Sequence, residues 1–221
     1  MPQGYFITGT DTGVGKTWCS VALMHYFKKQ GKSVAGMKPV ASGASRINGC
    51  LINDDAMLLQ QHASKNFSYD VVNPYAFEMP VSPHIAAEKA CESIDFERII
   101  DKLAVLQKSC EIVIVEGVGG WLVPLGSKLG IVDLAMRLGF PVIVVVAIRL
   151  GCINHARLTF SALQAAGVPC TGWIANCTEP DMLAKEENIQ TISRYTDIPL
   201  LGILPFSQKP NFSDLACHLK I

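Results

Sequence analysis

The sequence has no cysteine pair at the spacing of a zinc or redox motif, no net charge and no apolar run long enough to cross a membrane. Its eight cysteines, at 19, 50, 91, 110, 152, 170, 177 and 217, are scattered and do not cluster with the five histidines, so neither a zinc site nor a thiol–disulfide motif is expected. Nineteen basic residues balance 19 acidic ones. Without a field of one sign, the chain is not expected to hold nucleic acid or an anionic membrane surface. Phe140 to Ile148, the most apolar stretch, falls short of the roughly 20 residues a membrane span needs and contains Pro141, so it reads as a buried strand. No repeat, low-complexity tract or linker divides the chain, and 221 residues, 49% hydrophobic and 17% charged, suit one domain (1–221) with a real core. No signal-peptide pattern is present either. The expected setting is the reducing cytoplasm, with unpaired thiols and with small molecules or another copy of the chain as partners.

What is present begins at Tyr5-Phe6-Ile7-Thr8-Gly9-Thr10-Asp11-Thr12-Gly13-Val14-Gly15-Lys16-Thr17, where a strand-like run meets a glycine-rich turn and then an amphipathic helical pattern from Trp18 to Lys29. This reads as a phosphate-binding loop. Glycines 9, 13 and 15 let backbone N–H groups turn toward a phosphate, Lys16 adds a point charge, and the Thr17 hydroxyl can ligate magnesium. Thr10 stands where the common G-x-x-x-x-G-K-[ST] spacing has its first glycine, which falls instead at Gly9. The loop is therefore a variant. An ordinary helix start with a solvated lysine would also contain Gly-Lys-Thr, but would not bring the preceding strand and three glycines with it.

Further along, Ser33 to Pro39 reads as a second short strand that puts Lys38 at its C-terminal edge, where open parallel sheets bind ligands. A solvated strand-end lysine is the plain alternative. Val40 to Cys50 is small and polar, a loop able to cover a substrate, with Ser42 as its hydroxyl. Asn53-Asp54-Asp55 opens a helix, and Asp55 suits a helix cap as well as a metal ligand. Tyr69 to Met79 reads as extended, and helices are expected at His84 to Ala90 and Phe96 to Gln107. Glu111 to Val115 then describes a strand buried on both faces, carrying Glu116 at its C-terminal end. Gly117, Gly119 and Gly120 behind it suggest close approach of backbone to a ligand. Beyond lie a helix at Asp133 to Leu138, a strand at Pro141 to Ala147, a helix from the Leu150-Gly151-Cys152-Ile153-Asn154-His155 turn to Ala166, a strand at Cys170 to Asn176, a helix near Leu183 to Tyr195 and a strand at Leu200 to Leu204. The alternation predicts an α/β fold, a mostly parallel sheet with helices on both faces, of the P-loop NTPase type.

The ordered set of motifs resembles the dethiobiotin synthetase family over essentially the whole chain. It comprises the phosphate loop, Lys38-Pro39-Val40-Ala41-Ser42-Gly43, Val72-Asn73-Pro74-Tyr75 with Ser82-Pro83-His84, Val115-Glu116-Gly117 with Gly119-Gly120-Trp121, and Leu150-Gly151-Cys152-Ile153-Asn154-His155-Ala156. The resemblance implies an ATP- and Mg2+-dependent cyclo-ligase. In that family 7,8-diaminopelargonic acid takes up CO2 as a carbamate, ATP phosphorylates it, and the second amine closes a ureido ring. It further implies that Lys16 and Lys38 are catalytic, that Thr17, Asp55 and Glu116 hold the metal, and that Thr12, Gly13, Val14, Gly15, Trp18, Gly117, Val118, Gly119, Asn176, Cys177, Pro205, Phe206 and Ser207 surround the nucleotide. The substrate would touch Thr12, Lys38 and Ser42, together with Gly151, Cys152, Ile153 and Asn154 supplied by the neighbouring subunit of a homodimer. Two departures stand out: Gly13 where several relatives carry glutamate, and Cys177 where aspartate often follows the base-reading asparagine. The C-terminal segment from Gln208 carries little signal.

The rival from another class is a partitioning or positioning ATPase of the deviant-loop type, a nucleotide-dependent dimer switch without a small-molecule substrate. Its loop resembles K-G-G-x-G-K-T, and this chain has Asp11 where that motif opens with lysine. No basic amphipathic tail of the membrane-targeting kind follows.

Overall fold

A strand that is apolar at every position can be buried only if both of its faces are covered, and this chain has several such strands. In the computed structural model, which describes residues 3–221, the elements run β1 (Gln3–Gly9), α1 (Lys16–Lys29), β2 (Val34–Met37), β3 (Val40–Ser42), β4 (Ser45–Ile47), β5 (Cys50–Ile52), α2 (Asp54–Gln61), α3 (Tyr69–Val72), β6 (Tyr75–Phe77) and α4 (Pro83–Lys89). They continue with α5 (Phe96–Ser109), β7 (Ile112–Glu116), α6 (Ile131–Leu138), β8 (Val142–Ala147), α7 (Cys152–Ala165), β9 (Cys170–Asn176), α8 (Lys185–Arg194), β10 (Leu200–Leu204) and α9 (Phe212–Ala216).

Six strands pair in parallel in the order β10-β9-β8-β1-β7-β2. Alternate residues divide between two cores. Val142, Val144 and Val146 of β8 join Val113 and Val115 of β7 on one side, while Ile143, Val145, Ile112 and Ile114 join Tyr5 and Ile7 of β1 on the other. Each such side chain contributes roughly 1.5–3 kcal/mol by leaving water, which is why β7 and β8 carry no polar residue before their C-terminal ends. From β1 the chain first builds β2 and β7 on one side and only then crosses to β8. The loops after β1 and β7 therefore open into a crevice where the winding reverses.

The α/β, parallel-sheet expectation holds, and several local ones need correction. Helix α1 begins at Lys16 and is buried over most of its surface, not along one stripe, because α2 and α9 cover what the sheet does not. Tyr69 to Val72 is a short helix, not extended chain; the extended segment is only Tyr75–Phe77, which pairs with Val40–Ser42. The expected loop from Val40 to Cys50 holds strand β3 and most of an antiparallel hairpin, β4–β5, turned by Asn48 (φ 50°) and Gly49 (φ 83°). Two positive φ values at Asn-Gly are the mark of a two-residue hairpin turn. The segment after Gln208 is also structured: α9 packs on α1, Leu215 and Leu219 are buried, and the Ile221 backbone exchanges hydrogen bonds with the Tyr26 hydroxyl.

Candidate active site

The phosphate loop owes its shape to two glycines with different duties. A Cβ on Gly9 would sit 2.6 Å from Val14 Cγ2, so the shifted first glycine is needed for the loop to close on itself. Gly15, at φ 86°, leaves room for Asn176, whose Nδ2 would lie 2.1 Å from any Cβ there and which donates to the Val14 carbonyl at 2.8 Å. Within the loop, Lys16 Nζ donates to the Asp11 carbonyl at 3.0 Å, Asp11 Oδ1 accepts from the Thr12 N–H at 2.7 Å, and Asp11 Oδ2 pairs with Arg149 at 2.9 Å.

At the neighbouring strand ends, Lys38 is buried, not solvated. Its ammonium donates to Glu116 Oε1 at 2.6 Å, to Asp55 Oδ2 at 3.0 Å and to the Gly117 carbonyl at 3.2 Å. Thr17 Oγ1 donates to the same Glu116 oxygen at 2.9 Å. Burial is the largest influence on Lys38 and pushes its pKa down, but Glu116 and Asp55 together outweigh it and hold the ammonium above the usual lysine value. Asp55, in turn, is drawn below the usual carboxylate range: burial pushes it up, and Lys38, chiefly, overcomes that. Lys16 has no such partner. Burial, reinforced by the Lys38 charge, pushes it down to about 8.

These groups line a cleft of about 970 Å³. Thr12, Gly13, Gly15, Lys16, Thr17 and Trp18 face it from the loop and α1; Lys38, Ser42, Asp55, Glu116, Val118 and Gly119 from β3, α2 and the ends of β2 and β7; and Asn176, Cys177, Phe206 and Ser207 from the ends of β9 and β10, with Asn176 against the loop. Val14 and Gly117 lie just behind it, their carbonyls held by Asn176 and Lys38, while Pro205 is not in its wall. The turn at Gly151, Cys152, Ile153 and Asn154 does not reach the cleft of its own chain. There Cys152 is buried with its thiol toward Asn188, Gly151 is the N-cap of α7 at φ 92°, and Asn154 is exposed inside the first turn instead of capping it.

Asp55 does not cap α2 either; that duty falls to Asn53, which accepts from the Ala56 N–H at 3.3 Å, leaving the Asp55 carboxylate for Lys38. Sequence reading passed over two features of the site. Ser82, in the wall of the cleft, is the N-cap residue of α4, but its hydroxyl makes no capping bond and lies 3.0 Å from His84 Nδ1, a pairing foreshadowed only by the Ser-Pro-His spacing. Asn73, buried, bonds the Lys38 carbonyl at 2.6 Å.

For a divalent cation, the described residues hold no cluster of three or more His, Cys, Asp or Glu side chains. The donor set here is instead the Thr17 hydroxyl with the Asp55 and Glu116 carboxylates. Glu116 Oε2 is buried and has no hydrogen-bond partner among the described residues, an orphaned oxygen that a cation would satisfy. Oxygen donors of this kind, few in number, fit Mg2+, which keeps several of its waters.

Among solved structures, the chain is similar to the MinC:MinD cell division protein complex of Aquifex aeolicus, with a TM-score of 0.53 and 19% identity over 97% of this chain and 85% of that one. It is also similar to the signal recognition particle receptor FtsY of Elizabethkingia anophelis, with a TM-score of 0.52 and 18% identity over 99% of this chain, which spans 65% of the receptor's length. At these identities the likeness speaks for the P-loop fold alone. A family model described as "AAA domain" matches residues 3–211. Curated relatives are nearer: ATP-dependent dethiobiotin synthetase BioD of Nitrosospira multiformis is 47% identical, covering 100% of this chain and 96% of the relative. The protein of the same name from Aromatoleum aromaticum is 44% identical over 100% and 98%. With the phosphate loop, Lys38 and Glu116 gathered in one cleft and identity sustained from end to end, this chain belongs to the dethiobiotin synthetase family.

Proposed function

We propose that the protein is an ATP-dependent cyclo-ligase that joins 7,8-diaminopelargonic acid and CO2 into the ureido ring of dethiobiotin, releasing ADP and phosphate, and that one domain carries the whole reaction. The observation that carries this reading is the Lys38 ammonium, buried at strand ends beside the phosphate loop. Each step, from carbamate to carbamic-phosphoric anhydride to departing phosphate, develops negative charge on oxygen. Catalysis then rests on positioning and fixed cations, with no covalent protein intermediate. Lys16 and the loop N–H groups hold the phosphates from one side, and Lys38 approaches the carbamate and the transferring phosphoryl group from the other. Ser42 and Thr12 border the substrate's share of the cleft. At the other end, Asn176, Cys177, Phe206 and Ser207 border the base, with one Nδ2 proton of Asn176 already committed to the loop.

Thr17, Glu116 and Asp55 would hold Mg2+, directly or through water. Bound there, the metal supplies neutralising charge at the phosphate oxygens. A homodimer in the cytoplasm completes the proposal, the Gly151–Asn154 turn of each subunit serving its partner's site. Eight free cysteines suit a reducing compartment, and no described helix is long and apolar enough to cross a membrane. The dimer-switch reading gains nothing from the likeness to MinD, which is one of fold. It also lacks its signature lysine, since Asp11 stands at that position and bonds Arg149. Incubation with diaminopelargonic acid, labelled bicarbonate and MgATP, read by mass spectrometry, should give a labelled cyclic urea with stoichiometric phosphate. Phosphate release without the labelled ring would refute the reading.

A further inference from the structure

Lys38 leaves β2 and Asp55 stands in the first turn of α2, so their meeting at 3.0 Å depends on how two separate elements are held apart. A second path joins the same two elements behind the site. Asn73 Nδ2 donates to the Lys38 carbonyl at 2.6 Å and to the Tyr75 carbonyl at 3.1 Å, and Asn73 Oδ1 accepts from the Tyr69 hydroxyl at 2.8 Å. That hydroxyl accepts in turn from the backbone N–H of Asn53 at 2.7 Å, and Asn53 is the residue that caps α2. The Lys38 N–H donates to the Val72 carbonyl at 2.8 Å, so both sides of the Lys38 backbone are tied to this segment.

We propose that Tyr69 and Asn73 form a strut that sets the spacing between Lys38 and Asp55, and so act as positioning residues for the ring closure proposed above, on which this inference rests. Neither residue lines the cleft, so neither touches substrate or nucleotide. Every polar atom of the Asn73 side chain is used, and it is buried at 3% exposure. The Tyr69 hydroxyl spends its one proton on Asn73 and accepts one from Asn53. The strut thus closes a ring of contacts: Lys38 backbone, Asn73, Tyr69, Asn53, the start of α2, Asp55 and back to the Lys38 ammonium. A ring of this kind transmits small displacements. Loosening its rear half lets the carboxylate and the ammonium drift apart by fractions of an ångström, and phosphoryl transfer is sensitive to displacements on that scale.

Tyr69→Phe keeps the ring's packing and deletes both hydroxyl bonds. In the full-length protein it should lower kcat about tenfold while leaving KM for ATP within about twofold. Because the strut works through Asp55, adding Tyr69→Phe to Asp55→Asn should cost less than about twofold more. Asn73→Ser, too short to span both carbonyls, should behave as Tyr69→Phe does. In the ligand-free protein, the Lys38 ammonium protons followed by NMR should exchange with water faster in Tyr69→Phe. A lower Tm accompanies either role, because the Asn53 N–H and Asn73 Oδ1 lose their partner. A strut that merely stabilises the fold predicts unchanged kcat and Lys38 exchange, or losses that multiply in the double variant, and either result overturns the proposal. Full activity of Asp55→Asn alone would instead overturn the role given to Asp55, a failure distinguishable from the loss of coupling.

Discussion

Lys16 and Lys38 are both buried, yet their surroundings push them in opposite directions, and the difference separates a group held ready for a ligand from one already neutralised. Lys16 falls from 10.5 to about 8 because burial, and then Lys38, oppose its charge. Its folded-state pKa lies below the unfolded one, so the protonated lysine destabilises the fold, fully below about pH 8 and not at all above 10.5. The cost is about 3 kcal/mol at neutral pH. Lys16→Met should therefore abolish ring closure while raising the Tm of the ligand-free protein at pH 7, and the gain should fade by pH 10.5; a lower Tm at pH 7 would show that the lysine is not strained. ATP affinity of the wild type should likewise weaken as pH rises through about 8, as calorimetry would reveal. Lys38 differs. Lys38→Ala leaves Glu116 buried without its cation, so it should lower kcat with ATP affinity largely intact and destabilise the fold by about 3–5 kcal/mol. Glu116→Gln should raise the Mg2+ concentration needed for half-maximal activity; an unchanged titration curve in both Glu116→Gln and Asp55→Asn would remove the pair from the metal's surroundings.

At the scale of elements, what the sequence made legible follows from burial. Strands β7 and β8 show as unbroken runs of Val and Ile because both of their faces are covered, and the residues ending them, Glu116 among them, stand out by contrast. The phosphate loop and Lys38 could be read for the same reason. Short elements in the insertion between β2 and α4 were not legible, since three- and four-residue strands and helices carry no period of their own. Tyr69-Asp70-Val71-Val72 has the β-branched content of a strand, but Ser68 and the Asn73-Pro74 stop close a single helical turn. The Asn48-Gly49 turn was the available hairpin signal. The strut was hidden because Asn73 and Tyr69 act through backbone groups far along the chain. Helix α9 was hidden too: its buried residues Leu215 and Ala216 gain meaning only against α1, and Leu219 beyond it only against β10, where it bridges Gly202. Leu215→Ala and Leu219→Ala should each cost about 2–5 kcal/mol in urea denaturation, since both are buried, Leu215 in the helix that covers α1 and Leu219 beside β10. Losses below about 0.5 kcal/mol would mean that α9 is dispensable to the fold.

For the molecule as a whole, the question is what would hold the far carboxylate of the substrate if, as proposed, its reacting amines lie beside Lys38. The Gly151–Asn154 turn, proposed for that task, lies outside the wall of its own chain's cleft. That turn begins α7, a helix of 14 residues in which the Cys152 N–H donates to the Arg149 carbonyl at 3.0 Å, those of Ile153 and Asn154 lack intrahelical partners, and Gly151 and Asn154 are exposed. Beside it, Leu150 is 95% exposed, with Leu158 at 62% on the same helix. Apolar side chains standing in water next to an anion-ready helix end are what an isologous interface would cover. If each turn serves the partner's cleft, a Lys16→Gln chain and a Gly151→Glu chain, each inactive alone, should complement one another. A heterodimer then has one site built from two damaged halves and one built from two intact halves. Random exchange makes half of the dimers mixed, so about a quarter of wild-type activity per subunit should return. Mixed dimers demonstrated by mass spectrometry but without recovered activity would mean that each subunit holds its substrate alone.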